Sequence, residues 1–248
     1  MNYPIFYVAP DAVTDDILEL DKVESHHALA VMRLTVGSMI IAVDGLGTAY
    51  RGEIIEAKKN KALRIKIHST VRNFGEPNTI VTLAAGLSAN SKFDTVVEKS
   101  TELGVKRIIP LLCQKGKVKL EDPKRIKTKQ TRYSKIGLSA MKQSRRSFIP
   151  EIVTPTTFKQ FMSQIDDESV NLIFHPSKKS KKLSEMTFSE NIKRVTLLVG
   201  PESGFSDEEI DLALEKNIIP ISLGERILRT ETASPAILAI IMNLLGEI

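Results

Sequence analysis

After residue 78 the chain settles into short apolar runs separated by helical stretches, an alternation that leaves few folds open. Thr79–Leu83, Ile108–Leu112, Val170–Phe174, Val195–Val199 and Ile218–Leu223 are each only five or six residues long. Runs so short and so uniformly apolar read as strands buried on both faces. Alternating with helices, they predict a mainly parallel α/β sheet covered on both sides. Phe93–Leu103 reads as an amphipathic helix stopped by Gly104, Pro123–Ser144 as a long basic helix, and Pro235–Leu245 as an apolar one. The preceding part of the chain is patterned differently. Ile5–Val8, Met39–Val43, Tyr50–Ala57 and Leu63–Ile67 read as strands, with a turn at Asp44-Gly45 and a helix-like piece at Val23–Leu34 stopped by Gly37. Such strands make a small barrel. The turn-rich Asn73-Phe74-Gly75-Glu76-Pro77-Asn78 is the expected boundary, dividing 1–73 from 74–248.

A 248-residue chain with 42% apolar residues is folded, as one large domain or two small ones. No apolar run reaches the roughly 18–20 residues that a membrane span needs. Met1-Asn2-Tyr3-Pro4-Ile5 does not lead into a long apolar core, so no signal peptide and a cytoplasmic location are expected. The single cysteine, Cys113, excludes an internal disulfide and a cysteine-cluster metal site. His26 and His27 are adjacent and cannot face one ion together on a helix, so no metal is expected. The net charge of +5 conceals an asymmetry. Lys106–Arg146 holds fourteen Lys and Arg against Glu121 and Asp122, leaving the rest of the chain net acidic. Concentrated positive charge predicts a polyanionic partner, nucleic acid above all.

Two loops at strand ends stand out as the borders of a ligand crevice. Gly200-Pro201-Glu202-Ser203-Gly204-Phe205 follows one strand and leads into Ser206-Asp207-Glu208-Glu209, an N-cap serine with a capping-box glutamate. Three carboxylates at that helix start would repel a phosphate, so a neutral or cationic ligand fits better; S-adenosylmethionine is one such molecule. The second loop, Leu223–Ala233, is dense in charge, and its Arg229 reads as partly buried. Such an arginine either pairs with Glu202 or Glu231 or serves catalysis. His175-Pro176 ends a strand where the loops gather and either lines the crevice or merely terminates the strand. Gly45-Leu46-Gly47 has Tyr50 in place of a third glycine and is no nucleotide fingerprint, and no phosphate-binding P-loop motif occurs. Lys178-Lys179-Ser180-Lys181-Lys182 reads as a surface loop.

These two loops resemble the C-terminal motifs of the RsmE family, the 16S ribosomal RNA uridine N3-methyltransferases of the SPOUT superfamily. Three further matches extend the resemblance along the chain: His26-His27 with Val31-Met32-Arg33 and Gly37, Glu98–Val105, and Gln143-Ser144-Arg145 with Ile149-Pro150. The chain departs from the family at Ser203, where glycine is usual, and at Lys142, where glutamate is common. The resemblance implies an α/β SPOUT-type domain with a C-terminal trefoil knot, preceded by a small PUA-like β-barrel, in a homodimer with Pro235–Leu245 near the contact. It implies S-adenosyl-L-methionine held by His175 and Pro176, by Gly200, Pro201, Glu202 and Gly204, and by Leu223, Gly224, Ile227, Leu228, Thr230, Thr232 and Ala233.

Arg229 is then the expected catalytic residue, placed to stabilise charge on a uracil. Arg33, Lys124, Arg125, Arg132, Arg145 and Arg146 are the expected contacts to 16S ribosomal RNA in the small subunit. N3 lies on the pairing edge, so the uridine must be unpaired or flipped out. Two rivals remain: a ribose 2′-O-methyltransferase of the same superfamily, and a non-catalytic RNA-binding assembly factor.

Overall fold

The computed structural model describes residues 3–58, 61–88, 91–118, 122–177, 180–189 and 191–248. Met1-Asn2 and Lys178-Lys179, both used above, lie outside the described residues. The chain divides into two compact units, Met1–Glu76 with Leu138–Ile149, and Pro77–Gly137 with Pro150–Ile248.

The first unit runs β1 (Ile5–Tyr7), β2 (Val13–Thr14), β3 (Ile17–Leu20), α1 (Lys22–His26), β4 (Met39–Val43), β5 (Thr48–Glu56) and β6 (Leu63–Arg72). They form one six-stranded sheet in the order β1-β4-β5-β6-β3-β2, in which only β1 and β4 are parallel. Side chains two apart share a face of a strand, and β4 shows the consequence. Ile40 and Ala42 pack with Phe6, Leu18, Leu20 and Ile54, whereas Ile41 and Val43 pack with Ala49 and Met141. Asp44 closes the β4–β5 turn by accepting from the Leu46 and Thr48 amides at 2.8 and 2.9 Å. The sequence pattern did not reveal β2 or β3. Val23–Leu34 also differs from a plain helix: α1 is only five residues long and passes into a π-helical turn, His27–Val31.

The second unit opens with β7 (Ile80–Gly86), α2 (Lys92–Glu102), β8 (Arg107–Leu112) and α3 (Pro123–Gln143), whose end belongs to the first unit. There follow β9 (Glu151–Ile152), β10 (Thr156–Thr157), α4 (Phe158–Met162), β11 (Val170–Phe174), β12 (Lys181–Lys182), β13 (Arg194–Val199), α5 (Asp207–Glu215), β14 (Ile219–Ser222) and α6 (Thr230–Leu244). The strand order is β10-β8-β7-β13-β11-β14-β12, with β9 also on β8, and every pairing is parallel. Leu83, Leu197 and Ala85 pack with α2 and α6 through Phe93, Val97, Leu238 and Ile241. Ala84, Leu198 and Ile173 pack on the other face with Phe158, Phe161 and Ala213. A sheet covered on both sides therefore needs unbroken apolar runs, as the sequence has.

Two segments correct the sequence reading. Lys181 and Lys182 form an edge strand on β14 instead of a loop. The last helix begins five residues before Pro235, because the Arg229 carbonyl accepts from both the Thr232 and Ala233 amides, at 2.9 and 2.7 Å, and winds the polar segment into the first turn.

Candidate active site

Strand register brings the site together. Ala85 lies opposite Val199, Val199 opposite Phe174, and Phe174 opposite Ile221, so β7, β13, β11 and β14 reach the same level before their loops begin. The loops that follow β11, β13 and β14 surround a cavity of about 300 Å³. Its lining includes His175 and Pro176, Gly200, Pro201, Glu202 and Gly204, and Leu223, Gly224, Ile227, Leu228, Thr230 and Ala233. Phe174, Val199, Ile221 and Ile237 supply apolar walls. Of the residues the resemblance assigned to a cofactor, Thr232 alone is absent from the lining and is exposed.

The loops are held by backbone and side-chain hydrogen bonds, within themselves and to one another. Gly204 donates to the Pro201 carbonyl at 2.8 Å with φ of +71°, and a Cβ on Gly200 would come within 3.2 Å of the Gly204 Cα. Ser203, unusual for glycine in the family motif, does not have a positive φ; Gly204 takes the left-handed role. The serine hydroxyl instead donates to the Lys115 carbonyl, tying in a segment that the sequence did not mark. The Thr230 hydroxyl donates to the Gly200 carbonyl at 3.1 Å and anchors the start of α6 to the second loop. His175 donates its amide to the Ile221 carbonyl, while burial and the nearby Lys115 push its imidazole pKa below the ordinary value.

Arg229 is exposed, contrary to its expected partial burial, and it caps α6 with its backbone between two cavity-lining neighbours. Neither expected carboxylate partner holds it. Glu202 pairs with Lys92, and Glu231 keeps a buried Oε2 without a hydrogen-bond partner. Gly86, overlooked in the sequence, closes β7 where a Cβ would sit 2.2 Å from the Pro201 nitrogen. Its only sequence signal is a glycine ending an apolar strand.

The expected RNA contacts fare unevenly. Arg33, Lys124 and Arg125 are exposed, and Arg132 is exposed but paired with Asp94. Arg145 is half-buried. The expectation for Arg146 is corrected: its side chain is buried and donates to Glu76 at 2.7 Å, an internal tie in place of a phosphate contact. Lys142 pairs with Glu24. Among the described residues no group of three His, Cys, Asp or Glu side chains is placed to hold a metal, and no helix is long and apolar enough to cross a membrane.

The RNA methyltransferase domain family matches residues 75–242, and the RNA methyltransferase PUA domain family matches residues 20–67. Ribosomal RNA small subunit methyltransferase E of Synechocystis sp. is 32% identical over 240 residues, covering 96% of this chain and 77% of that one. The chain belongs to the ribosomal RNA small subunit methyltransferase E family. The Bacillus subtilis member is also 32% identical, over 85% of this chain and 83% of its own. A Legionella pneumophila protein solved with the cofactor SAM bound superposes with a TM-score of 0.84 at 31% identity, over 98% of both chains. The Neisseria gonorrhoeae family member, bound to S-adenosyl methionine, gives 0.85 at 26% identity, again over 98% of both.

Proposed function

We propose that this protein uses S-adenosylmethionine to methylate N3 of a uridine in 16S ribosomal RNA of the small subunit. The observation that carries the reading is the convergence of three loops on one cavity, in a chain similar over 98% of its length to two proteins solved with that cofactor bound. The residues present fit it. The cavity volume is at the lower end of small-molecule sites. Gly204 and Gly224 have positive φ, and a Cβ at either would meet nothing within 4 Å, so both leave room. The lining sets Glu202 and Glu225 beside Lys115 and Arg226, a balance of charge that suits a ligand without phosphate. S-adenosylmethionine supplies, when bound, an electrophilic methyl group on a sulfonium.

This chain's residues would do the rest. Backbone groups of the loops at His175, Gly200 and Leu223 would fix the cofactor. Arg229, exposed at the N-terminus of α6, would stabilise negative charge on a uracil oxygen through its own charge, with the helix dipole adding to it. Glu231, with a carboxylate oxygen lacking a partner, is a candidate to hold the N3 proton. The reading includes a trefoil-knotted C-terminal segment, as the family resemblance implies, and a homodimer, supported by exposed Ile240 and Leu244 on α6. It includes work on ribosome assembly in the cytoplasm.

The test is to incubate the protein with labelled S-adenosylmethionine and unmodified small ribosomal subunits, then identify the labelled nucleoside. Labelled 3-methyluridine is expected. Label on a ribose would replace this reading with that of a 2′-O-methyltransferase, and absence of cofactor binding would leave an RNA-binding protein.

Two consequences concern the cavity. Gly86→Ala should weaken cofactor binding at least tenfold, because the added Cβ meets the backbone of Pro201 and Gly200, which must move. Calorimetry reads this directly, and unchanged affinity would show that the loop position is immaterial. His175 has a depressed pKa, so it is neutral at pH 7 and gains charge only as the pH falls below its ordinary 6.5. A protonated imidazole there opposes a cationic ligand. Cofactor affinity should therefore be level above pH 7 and decline below pH 6.5, with His175→Asn removing the decline.

A further inference from the structure

The first unit holds a second cavity, of about 600 Å³, which the chemistry above does not use. Tyr3, His27 and Met32 line one part of it, and Lys142, Gln143 and Arg145 another. Two rings and a thioether offer the flat, apolar surface on which an unpaired base stacks. The exposed Gln143 amide offers both donor and acceptor to a base edge. Lys142 is paired with Glu24, and the Arg145 guanidinium, which also donates to the Tyr3 carbonyl, brings a second positive charge to the cavity wall.

Two backbone features indicate that this arrangement is maintained at a cost. His27 and Met32 are brought to the cavity by the π-helical turn, closed by the Met32 amide on the His27 carbonyl at 3.0 Å. Such one-residue expansions of a helix concentrate at functional sites. The His27 ring is fixed edge-on against Phe6, with centroids 5.9 Å apart. Arg145 follows the end of α3 with φ of +61°. The Arg146 amide donates to the Met141 carbonyl at 3.0 Å and the Arg145 amide to the Lys142 carbonyl at 3.3 Å, a helix stop whose left-handed position is normally glycine. An arginine there strains the backbone and places a guanidinium at the cavity, with Nη1 3.4 Å from the Tyr3 carbonyl.

We propose that this cavity takes one unstacked nucleotide of the RNA substrate, distinct from the uridine that is methylated. The proposal rests on the reading of the protein as an RNA methyltransferase, but its test does not depend on turnover. Affinity of the full chain is measured for synthetic 16S RNA fragments in which single positions are made abasic, with wild type and the Met32→Glu/Gln143→Ala double variant. The expected result is one abasic position that weakens wild-type binding at least tenfold and has no further effect on the variant. Arg145→Gly relieves the strained backbone, so it should retain or raise the melting temperature while losing at least threefold in RNA affinity. Cofactor affinity, measured alongside, should remain unchanged in both variants.

Abasic penalties shared alike by wild type and variant would overturn the proposal. Loss of methylation on subunits with naked-RNA affinity intact would overturn it too, in favour of a protein partner at this cavity. Position-specific RNA binding without any methylation would uphold the pocket and sink the function proposed above. Absence of RNA binding by the wild type would overturn both.

Discussion

Arg229→Ala should lower kcat by about 10²–10³-fold, the loss of about 2.7–4 kcal/mol seen when one donor to a developing oxyanion is removed. Cofactor affinity should change by less than about threefold, since the side chain is absent from the cavity lining and only its neighbours Leu228 and Thr230 contribute to it. The expected separation follows from position: the backbone of Arg229 starts α6, whereas its exposed side chain is held by neither Glu202 nor Glu231. Arg229→Lys should recover only part of the rate, because an ammonium is a point charge without the planar fork of a guanidinium. Single-turnover methylation with calorimetric cofactor binding measures both quantities. Turnover near that of wild type in Arg229→Ala would remove the arginine from the mechanism.

The sheet was legible because a doubly covered strand has to be apolar throughout. Val170–Phe174 was read with its observed ends, and the other four major runs fell within two or three residues of theirs. β2 and β3 escaped notice for the opposite reason: Val13-Thr14 and Ile17–Leu20 are too short, and too mixed with acidic residues, to show a period. The loops that line the cavity were legible as glycine-punctuated motifs. Lys115 and Gly86 were not, since what brings them to the site is parallel register across β8, β7, β13 and β11, a pairing between residues far apart in sequence. The exposure of Arg229 was misjudged by treating its apolar neighbours as company. Leu228 before it is itself exposed, and Ile227, two residues before, is 91% exposed.

Glu76→Ala should cost about 3–5 kcal/mol of stability, the range for removing one partner of a buried ion pair. Side-chain exposure is 5% for Glu76 and 2% for Arg146, so water cannot take over the contact. The same carboxylate accepts from the Ser147 and Phe148 amides at 2.9 and 2.8 Å, and both donors would also be left without it. Against a typical total of about 5–15 kcal/mol, this is a large fraction. Glu76→Gln combined with Arg146→Met keeps an acceptor for the two amides and removes the buried charge, so it should lose less than Glu76→Ala. Denaturant midpoints with an unchanged slope measure the difference. A cost below about 1 kcal/mol for Glu76→Ala would mean that the pair is solvated in solution, contrary to its burial here.

The make-up of the first unit bears on how the chain comes off the ribosome. Met141 completes the cluster of Ile41, Val43 and Ala49, yet it is encoded almost a hundred residues later, and the Glu76 carboxylate meets its donors only at 146–148. Translation must therefore deliver the whole stretch Pro77–Gly137 before the N-terminal unit can close. A fragment cut at its first boundary would expose an unfinished core, and grafting this unit onto another protein would require two pieces of chain with a folded insert between them.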